Sequence, residues 1–360
     1  MKKFFILFII LSFFIISCGD KTKKIVHLRY SSLDTIKTLP IIVNENGGTD
    51  QVTVFLSHLT ENNLKKLKRF EFMDLNNWAM MRDEPNTVVK INKIHQEMKR
   101  VIIYFQNNKM EKSFDLSEKV LTILSGKFQF FEDLDEIFQL KSYQASSAML
   151  SDVIDSERFF REIAVMDFNY DFDSNKFGPG ILKQFKEARK EAKRFRKGTI
   201  TVNSSPVTAK VFINGEYVGV TPYHSEKLRV GNQFVKVEAD GFRPYGEVVK
   251  VQSRENPVDA ILKNYSIHRE LNLLRISLVT PPKKDEPKFP RTVLKFKRVI
   301  PFDQILFIKT RTVDSHIYVK VFVYDLPTTS LYKEGDFKLN LESDNLEEIY
   351  YNNLERILNY

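Results

Sequence analysis

The chain has 360 residues, 42% hydrophobic and 28% charged, with a formal net charge of +9; this is too apolar for general disorder and sufficient for two or three folded domains. Its single cysteine, Cys18, excludes an intramolecular disulfide and any cysteine-cluster metal site. Residues 181–198 hold eight basic side chains against two acidic ones, so the rest of the chain beyond the N-terminal Lys2 and Lys3 is close to neutral, which argues against a general nucleic-acid binder.

From the N-terminus, Lys2 and Lys3 precede an apolar run, Phe4 to Ile16, broken only by Ser12. Such a run makes roughly 20 Å of helix, short of the roughly 30 Å hydrocarbon core of a bilayer, and reads as a cleaved export signal over 1–17. Ile15-Ile16-Ser17-Cys18 resembles the lipobox of bacterial lipoproteins. That resemblance implies diacylglyceryl transfer to the Cys18 thiol, cleavage after Ser17 and acylation of the new amino group. The mature chain would lose Lys2 and Lys3, lowering its charge to +7. Two or three acyl chains, at about 0.8 kcal/mol per buried CH₂, would anchor it to a membrane. The residues after Cys18 leave periplasmic and cell-surface placement both open.

Residues 18–24 form a polar, lysine-rich tether, and 25–180 a mixed α/β or α+β region. Within it, the alternation of Val26, Leu28 and Tyr30 predicts a strand, and Gln51–Leu59 also reads as one. Leu64, Leu67 and Phe70 mark a helical face over Glu61–Phe70. A helix is expected around Thr87–Met98, a strand at Val101–Phe105, and mostly helix over residues 133–160.

Over 181–197, Ile181, Phe185, Ala188, Ala192 and Phe195 recur at spacings of four, three, four and three, the apolar stripe of a basic amphipathic helix. Pro179-Gly180 marks its start and Gly198 its stop. Lys183, Lys186, Lys190, Lys193, Arg194 and Lys197 are the candidates for contact with an anionic surface, where each adds roughly 1 kcal/mol. The plainer reading is a solvated face above a packed stripe.

Between Gly198 and Lys263 short strands alternate with turn residues, the mark of a small all-β domain. Strands are expected at Thr199–Val202, Lys210–Ile213, Leu228–Val230, Phe234–Val237, Glu247–Val251 and Val258–Leu262. Asn214-Gly215 is a hairpin signal, since a type I′ turn needs φ > 0 at both positions. The frame Gly198-x-Ile200-x-Val202, Ser204-x-Pro206-x-x-Ala209-x-Val211, Ile213-Asn214-Gly215, Gly219-x-Thr221-Pro222, Leu228-x-x-Gly231, Val235-x-Val237 and Gly241-Phe242 resembles the PEGA domain, a β-sandwich module of prokaryotic envelope proteins. The resemblance implies a structural or interaction role and transfers no catalytic residue. It departs at Pro206-Val207-Thr208-Ala209, where Val and Thr stand for the usual Glu and Gly; threonine disfavours φ > 0, so another turn type is expected. Tyr217, Tyr223, Phe242 and Tyr245 lie near the turns, either as packed aromatics or as a sugar-stacking or protein-binding surface.

Residues 264–290 form a connection in which 264–279 carries no clear assignment and four prolines between 281 and 290 exclude helix and central strand. In 291–360, strands at Thr292–Val299, Gln304–Lys309 and His316–Tyr324 precede a helix at Leu346–Leu358. This small α+β region either stands alone or completes the N-terminal one across the β-module. The fold class is therefore multidomain: a mixed α/β or α+β N-terminal region, an all-β PEGA-like sandwich and a small α+β C-terminal region.

Catalytic motifs are wanting. His27, His58, His95, His224, His268 and His316 are scattered, and neither a nucleophile elbow nor a phosphate-binding glycine loop occurs. Asp171-x-Asp173-x-Asn175 begins like a calcium loop, but Lys176 and Leu182 stand where glycine and glutamate are required. No metal or cofactor is expected. The reading is a lipid-anchored, non-enzymatic envelope protein that binds or scaffolds an envelope protein or cell-wall polymer, with no nucleic-acid partner. The alternative is an envelope glycan hydrolase whose carboxylate pair lies in the N-terminal region.

Overall fold

A computed structural model describes residues 35–132, 134–280 and 291–359. Cys18, the export segment and the strand expected at Val26–Tyr30 lie outside them. In chain order, β1 (Ile36–Asn44), α1 (Gln51–Lys66) and β2 (Phe70–Phe72) form a βαβ unit with parallel strands. Five helices follow: α2 (Leu75–Asp83), α3 (Pro85–Gln106), α4 (Met110–Leu124), α5 (Asp135–Leu150) and α6 (Glu157–Met166). A 3-10 turn at Phe128–Phe130 separates α4 from α5, and α7 (Pro179–Ala192) leads into the β-module.

That module comprises β3 (Lys197–Ser205), β4 (Lys210–Ile213), β5 (Glu216–Val220), β6 (Tyr223–His224), β7 (Leu228–Arg229), β8 (Gly231–Glu238), β9 (Phe242–Arg243), β10 (Tyr245–Val251), β11 (Glu255–Ile261) and β12 (Lys263–Asn264). The chain ends with α8 (His268–Val279), α9 (Arg291–Lys297), β13 (Gln304–Val313), β14 (His316–Asp325), β15 (Ser330–Asn340) and α10 (Leu346–Asn359).

The two ends of the described chain share one five-stranded sheet, ordered β15-β14-β13-β1-β2. β1 lies parallel to β13, with Thr38 opposite Gln304 and Asn44 opposite Thr310. Leu39, Ile41 and Val43 join Ile305 and Phe307 in the large core beneath the helices, while Leu306 and Ile308, equally buried, point to the other face. There α1 and α10 pack, linked by a 2.6 Å hydrogen bond between Thr60 Oγ1 and the Tyr350 hydroxyl. The C-terminal region thus completes the N-terminal sheet.

Several local expectations are corrected. Gln51–Leu59 is the first half of α1, a helix opened by a reciprocal cap in which Asp50 Oδ1 accepts from Thr53 N–H and Thr53 Oγ1 accepts from Asp50 N–H. That helix stops at Lys66, and Phe70 belongs to β2. Val101–Phe105 lies in the last turns of α3, not in a strand, and most of Thr292–Val299 belongs to α9, with Val293 and Phe296 buried three apart. The helix expected over 181–197 ends at Ala192; Phe195 follows in a turn and Lys197 opens β3.

The β-module stacks the sheet β10-β8-β4-β5 on β11-β3-β6. Val211, Ile213, Val235 and Val237 fill the space between them with Ile200, Val202 and Val258. Both Asn214 and Gly215 have positive φ, 54° and 90°, as the expected turn requires. At Gly198 the reason for glycine is space, since a Cβ would lie 1.9 Å from the Gln252 carbonyl oxygen. Among the described residues no helix is long and apolar enough to cross a membrane.

Candidate functional site

Alternation along β4 and β8 sends Val211, Ile213, Val235 and Val237 into the sandwich, leaving Lys210, Phe212, Lys236 and Glu238 on the outer face. Lys210 pairs across the strands with Glu238, and Phe212 with Lys236. Such a face would ordinarily meet water. Here α1 covers Lys210 and the segment around the 3-10 turn covers Lys236, whose Nζ donates to the Phe131 carbonyl, so Lys210 is 2% exposed and Lys236 9%.

Burying charge is unfavourable unless each ion meets a partner. Lys210 Nζ from β4 forms an ion pair with Glu61 of α1, Lys236 Nζ lies 3.3 Å from Glu238, and Arg275 of α8 lies 3.2 Å from Asp240. Lys65 and Glu132 form a fourth pair at 2.6 Å at the margin. Asp74 caps α2 by accepting from Asn77 N–H at 2.9 Å. Asn76 joins the two parts again, donating to the Ala239 carbonyl and accepting from Gly241 N–H.

Burial and the neighbouring Asp240 and Glu238 carboxylates push Glu61 up to about 7 against the pull of Lys210. Lys210 itself is shifted upward, because the attraction of Glu61, Asp240 and Glu238 outweighs its burial. For Glu238, burial is outweighed by Lys236 and Lys210, which hold it down to about 2. His58, on the same face of α1 as Glu61, is lowered to about 4 by burial and by Lys210 and Lys65. Its neutral ring stacks on Tyr217 at 3.6 Å between centroids, and its Nε2 lies 3.0 Å from Asn62 Nδ2.

Glu61, His58, Lys236, Glu238 and Asp240 line a cleft of about 430 Å³ between α1, α2, the 3-10 turn and the outer face of the β-module. A second cavity of about 480 Å³ lies beyond the Lys210 and Glu238 pair, toward α8. Among the described residues no group of three metal-ligating side chains is positioned to hold an ion. Asp171 instead pairs with Arg189 at 2.7 Å, and Asp173 accepts from Asn175 N–H at 2.9 Å.

The candidate surface cations lie elsewhere. Lys183, Lys186 and Lys190 follow one face of α7, Lys193 caps it, and Arg194 and Lys197 follow; all six are exposed. Lys190 shares its charge with Glu187 at 2.8 Å. Of the four aromatics singled out by sequence, Phe242 is buried in the sandwich, Tyr223 and Tyr245 pack against its core, and Tyr217 reaches the cleft. Sequence reasoning missed the ion-pair cluster, whose only signal was a lysine and a glutamate on adjacent strands.

Residues 197–263 match the PEGA domain family. This segment is a PEGA domain. It spans less than a fifth of the chain, and no curated protein matches the chain. A crystal structure from Bacteroides fragilis NCTC 9343, of a candidate membrane-associated protein of unknown function, aligns over 36% of this chain and 60% of its own length, at 12% identity and a TM-score of 0.18. So low a score carries no argument. The PEGA domain presents one outer sheet face to the cleft and keeps its own core separate.

Proposed function

We propose that this chain is a lipid-anchored envelope protein whose PEGA domain and α/β part together bind or scaffold an envelope protein or cell-wall polymer without catalysing a reaction. The observation that carries the reading is the PEGA domain itself, docked so that its outer face and the α/β part form one cleft. Glu61, Glu238 and Asp240 are each held by a cation and Asp74 by a helix cap, which supports a binding role over hydrolysis. Acyl chains on Cys18 would supply the membrane anchor, and the row Lys183, Lys186, Lys190 and Lys193, with Arg194 and Lys197, would lie against an anionic surface. In cells fed radiolabelled palmitate, the wild type should be labelled and Cys18→Ala should not. Equal labelling of the two removes the anchor. Photocrosslinkers placed around the cleft in intact cells should capture a discrete protein or wall fragment; their failure to capture either removes the binding role.

A further inference from the structure

Away from the PEGA domain, the C-terminal ends of α3 and α5 and the N-terminus of α7 meet around a groove of about 500 Å³. Its walls are mostly apolar, built from Phe105, Met110, Tyr143, Met149, Leu150 and Ile181, and the two methionines can adjust to the shape of what enters. A cavity of this size, apolar with a few polar groups, has the form of a small-molecule site.

The polar groups at its margin are donors. The carbonyl ends of the helices are occupied, because Asn107 Nδ2 donates to the Ile103 carbonyl at 2.8 Å and Ser151 Oγ to the Ser147 carbonyl at 2.6 Å. The start of α7 is left open: its cap residue is Gly178, which has no side chain, Pro179 has no N–H, and the Gly180 N–H bonds to nothing among the described residues. An uncapped helix N-terminus favours an anion. Lys176 at the rim is matched by Asp173 at 3.1 Å, so the helix end supplies most of the attraction.

Tyr143 is the second, independent feature. It is 2% exposed, with its ring against Phe105 and Phe177 at 5.1 and 5.0 Å between centroids. Its hydroxyl has no hydrogen-bond partner among the described residues, yet it is not sealed inside the protein as the hydroxyls of Tyr217 and Tyr265 are. It opens on the groove that the residue lines, within reach of the Lys176 charge. Burial pushes this hydroxyl up from its ordinary range, so it stays protonated and can donate. A buried hydroxyl without a protein partner calls for an acceptor from outside. Apolar walls that end at donors describe a hydrocarbon chain with an anionic head.

We propose that this groove holds a fatty acid, its alkyl chain against Met110, Met149 and Leu150 and its carboxylate between the Tyr143 hydroxyl and the N-terminus of α7. The site is separate from the cleft and does not depend on the role proposed for it.

The test uses the full chain in nanodiscs of neutral phosphatidylcholine, irradiated with myristate that carries a diazirine on its chain. The matching alcohol and a phosphatidylcholine with the same chain are the comparison probes. Label from the acid should map to residues 105–110, 143–150 and 175–181 and should disappear with excess plain myristate. A Cβ at Gly180 meets only Met149 Cε at 4.0 Å, so Gly180→Leu fills the groove without touching backbone. It should lower labelling about tenfold or more at a melting temperature near the wild-type value. Tyr143→Phe removes a hydroxyl that has no protein partner, so it should melt no lower than the wild type while myristate competes about fivefold more weakly, as for one lost hydrogen bond. If Gly180→Leu fails to fold, Tyr143→Phe carries the same expectation. The proposal is overturned if no competable label appears in these segments, if the alcohol or the phosphatidylcholine labels them as strongly as the acid, or if both variants are labelled like the wild type.

Discussion

Lys210 and Glu61 fasten the PEGA domain to the α/β part from a position almost sealed from water. Removing only the cation strands a buried carboxylate, so Lys210→Met should cost about 3 kcal/mol at pH 8 by chemical denaturation. The loss should shrink toward pH 5, where Glu61 can take a proton, and Glu61→Gln combined with Lys210→Met should recover most of it. An unchanged denaturation midpoint at pH 8 would show that the pair is not a fastening. The wild type should respond to pH through two opposed groups. The His58 pKa is depressed from 6.5 to about 4, so its contribution is present above 6.5 and is lost as pH falls toward 4. The Glu61 pKa is raised from 4.5 to about 7, so its contribution is present below 4.5 and is lost as pH rises toward 7. Each amounts to on the order of 1–3 kcal/mol, and between 4.5 and 6.5 they oppose one another. Melting temperature against pH should therefore fall on acidification in Glu61→Gln and rise in His58→Asn; parallel profiles would contradict this. Lys210 and Glu238 were invisible as a site in the sequence, because the strand alternation that locates the sandwich core also assigns them to solvent. Only the helix that covers them changes that assignment, and it is far away in the chain.

At the scale of elements, legibility followed how distinctive each local pattern is. The PEGA strands and the Asn214-Gly215 turn are written in short-range signals that few other structures use. Gln51–Leu59 misleads because Val52, Thr53 and Val54 favour a strand, and the decisive feature is the reciprocal cap between Asp50, just before the run, and Thr53 within it. A short apolar run such as Val101–Phe105 has no period long enough to separate strand from helix end. β15 went unread because it is a polar edge strand with Gly335 at its middle. Gly198 offers a sharp test of local geometry. Gly198→Ala places a Cβ against the Gln252 carbonyl, a backbone atom that cannot step aside, and should lower stability by about 3 kcal/mol or more. Gly178→Ala meets nothing within 4 Å and, at the N-cap of α7, should cost no more than about 1 kcal/mol. Equal melting temperatures for the two would refute the distinction. The exposed row on α7 makes a second element-level prediction. Reversing Lys183, Lys186 and Lys190 to glutamate should weaken binding to anionic vesicles by about 1 kcal/mol or more per residue and flatten its salt dependence. Because these side chains are exposed and the buried stripe is untouched, melting temperature should stay near the wild-type value.

For the whole molecule, the main organising contact joins segments nearly 270 residues apart in sequence, since Thr38 on β1 lies beside Gln304 on β13. No periodicity can reveal such a pairing; it can only suggest strands at both ends and leave open whether they meet. The physical reason that they meet is visible in burial. β13 is apolar on both faces, with Ile305, Leu306, Phe307 and Ile308 at most 1% exposed, and a strand of that kind belongs inside a sheet between two layers. Without β13, β1 would lose its long parallel neighbour and retain only the three-residue β2. A chain stopped after Thr280 should therefore lose the fold of its α/β part as well as the missing strands, giving a hydrophobic-dye-binding product without a cooperative thermal transition. In the full chain, amide exchange should be slowest in β13 and β1 and faster in β15 at the sheet edge. If the truncated chain melts cooperatively with the helical signal of the intact α/β part, the N-terminal region folds without the C-terminal strands. The cleft would then be built on a scaffold that does not need them.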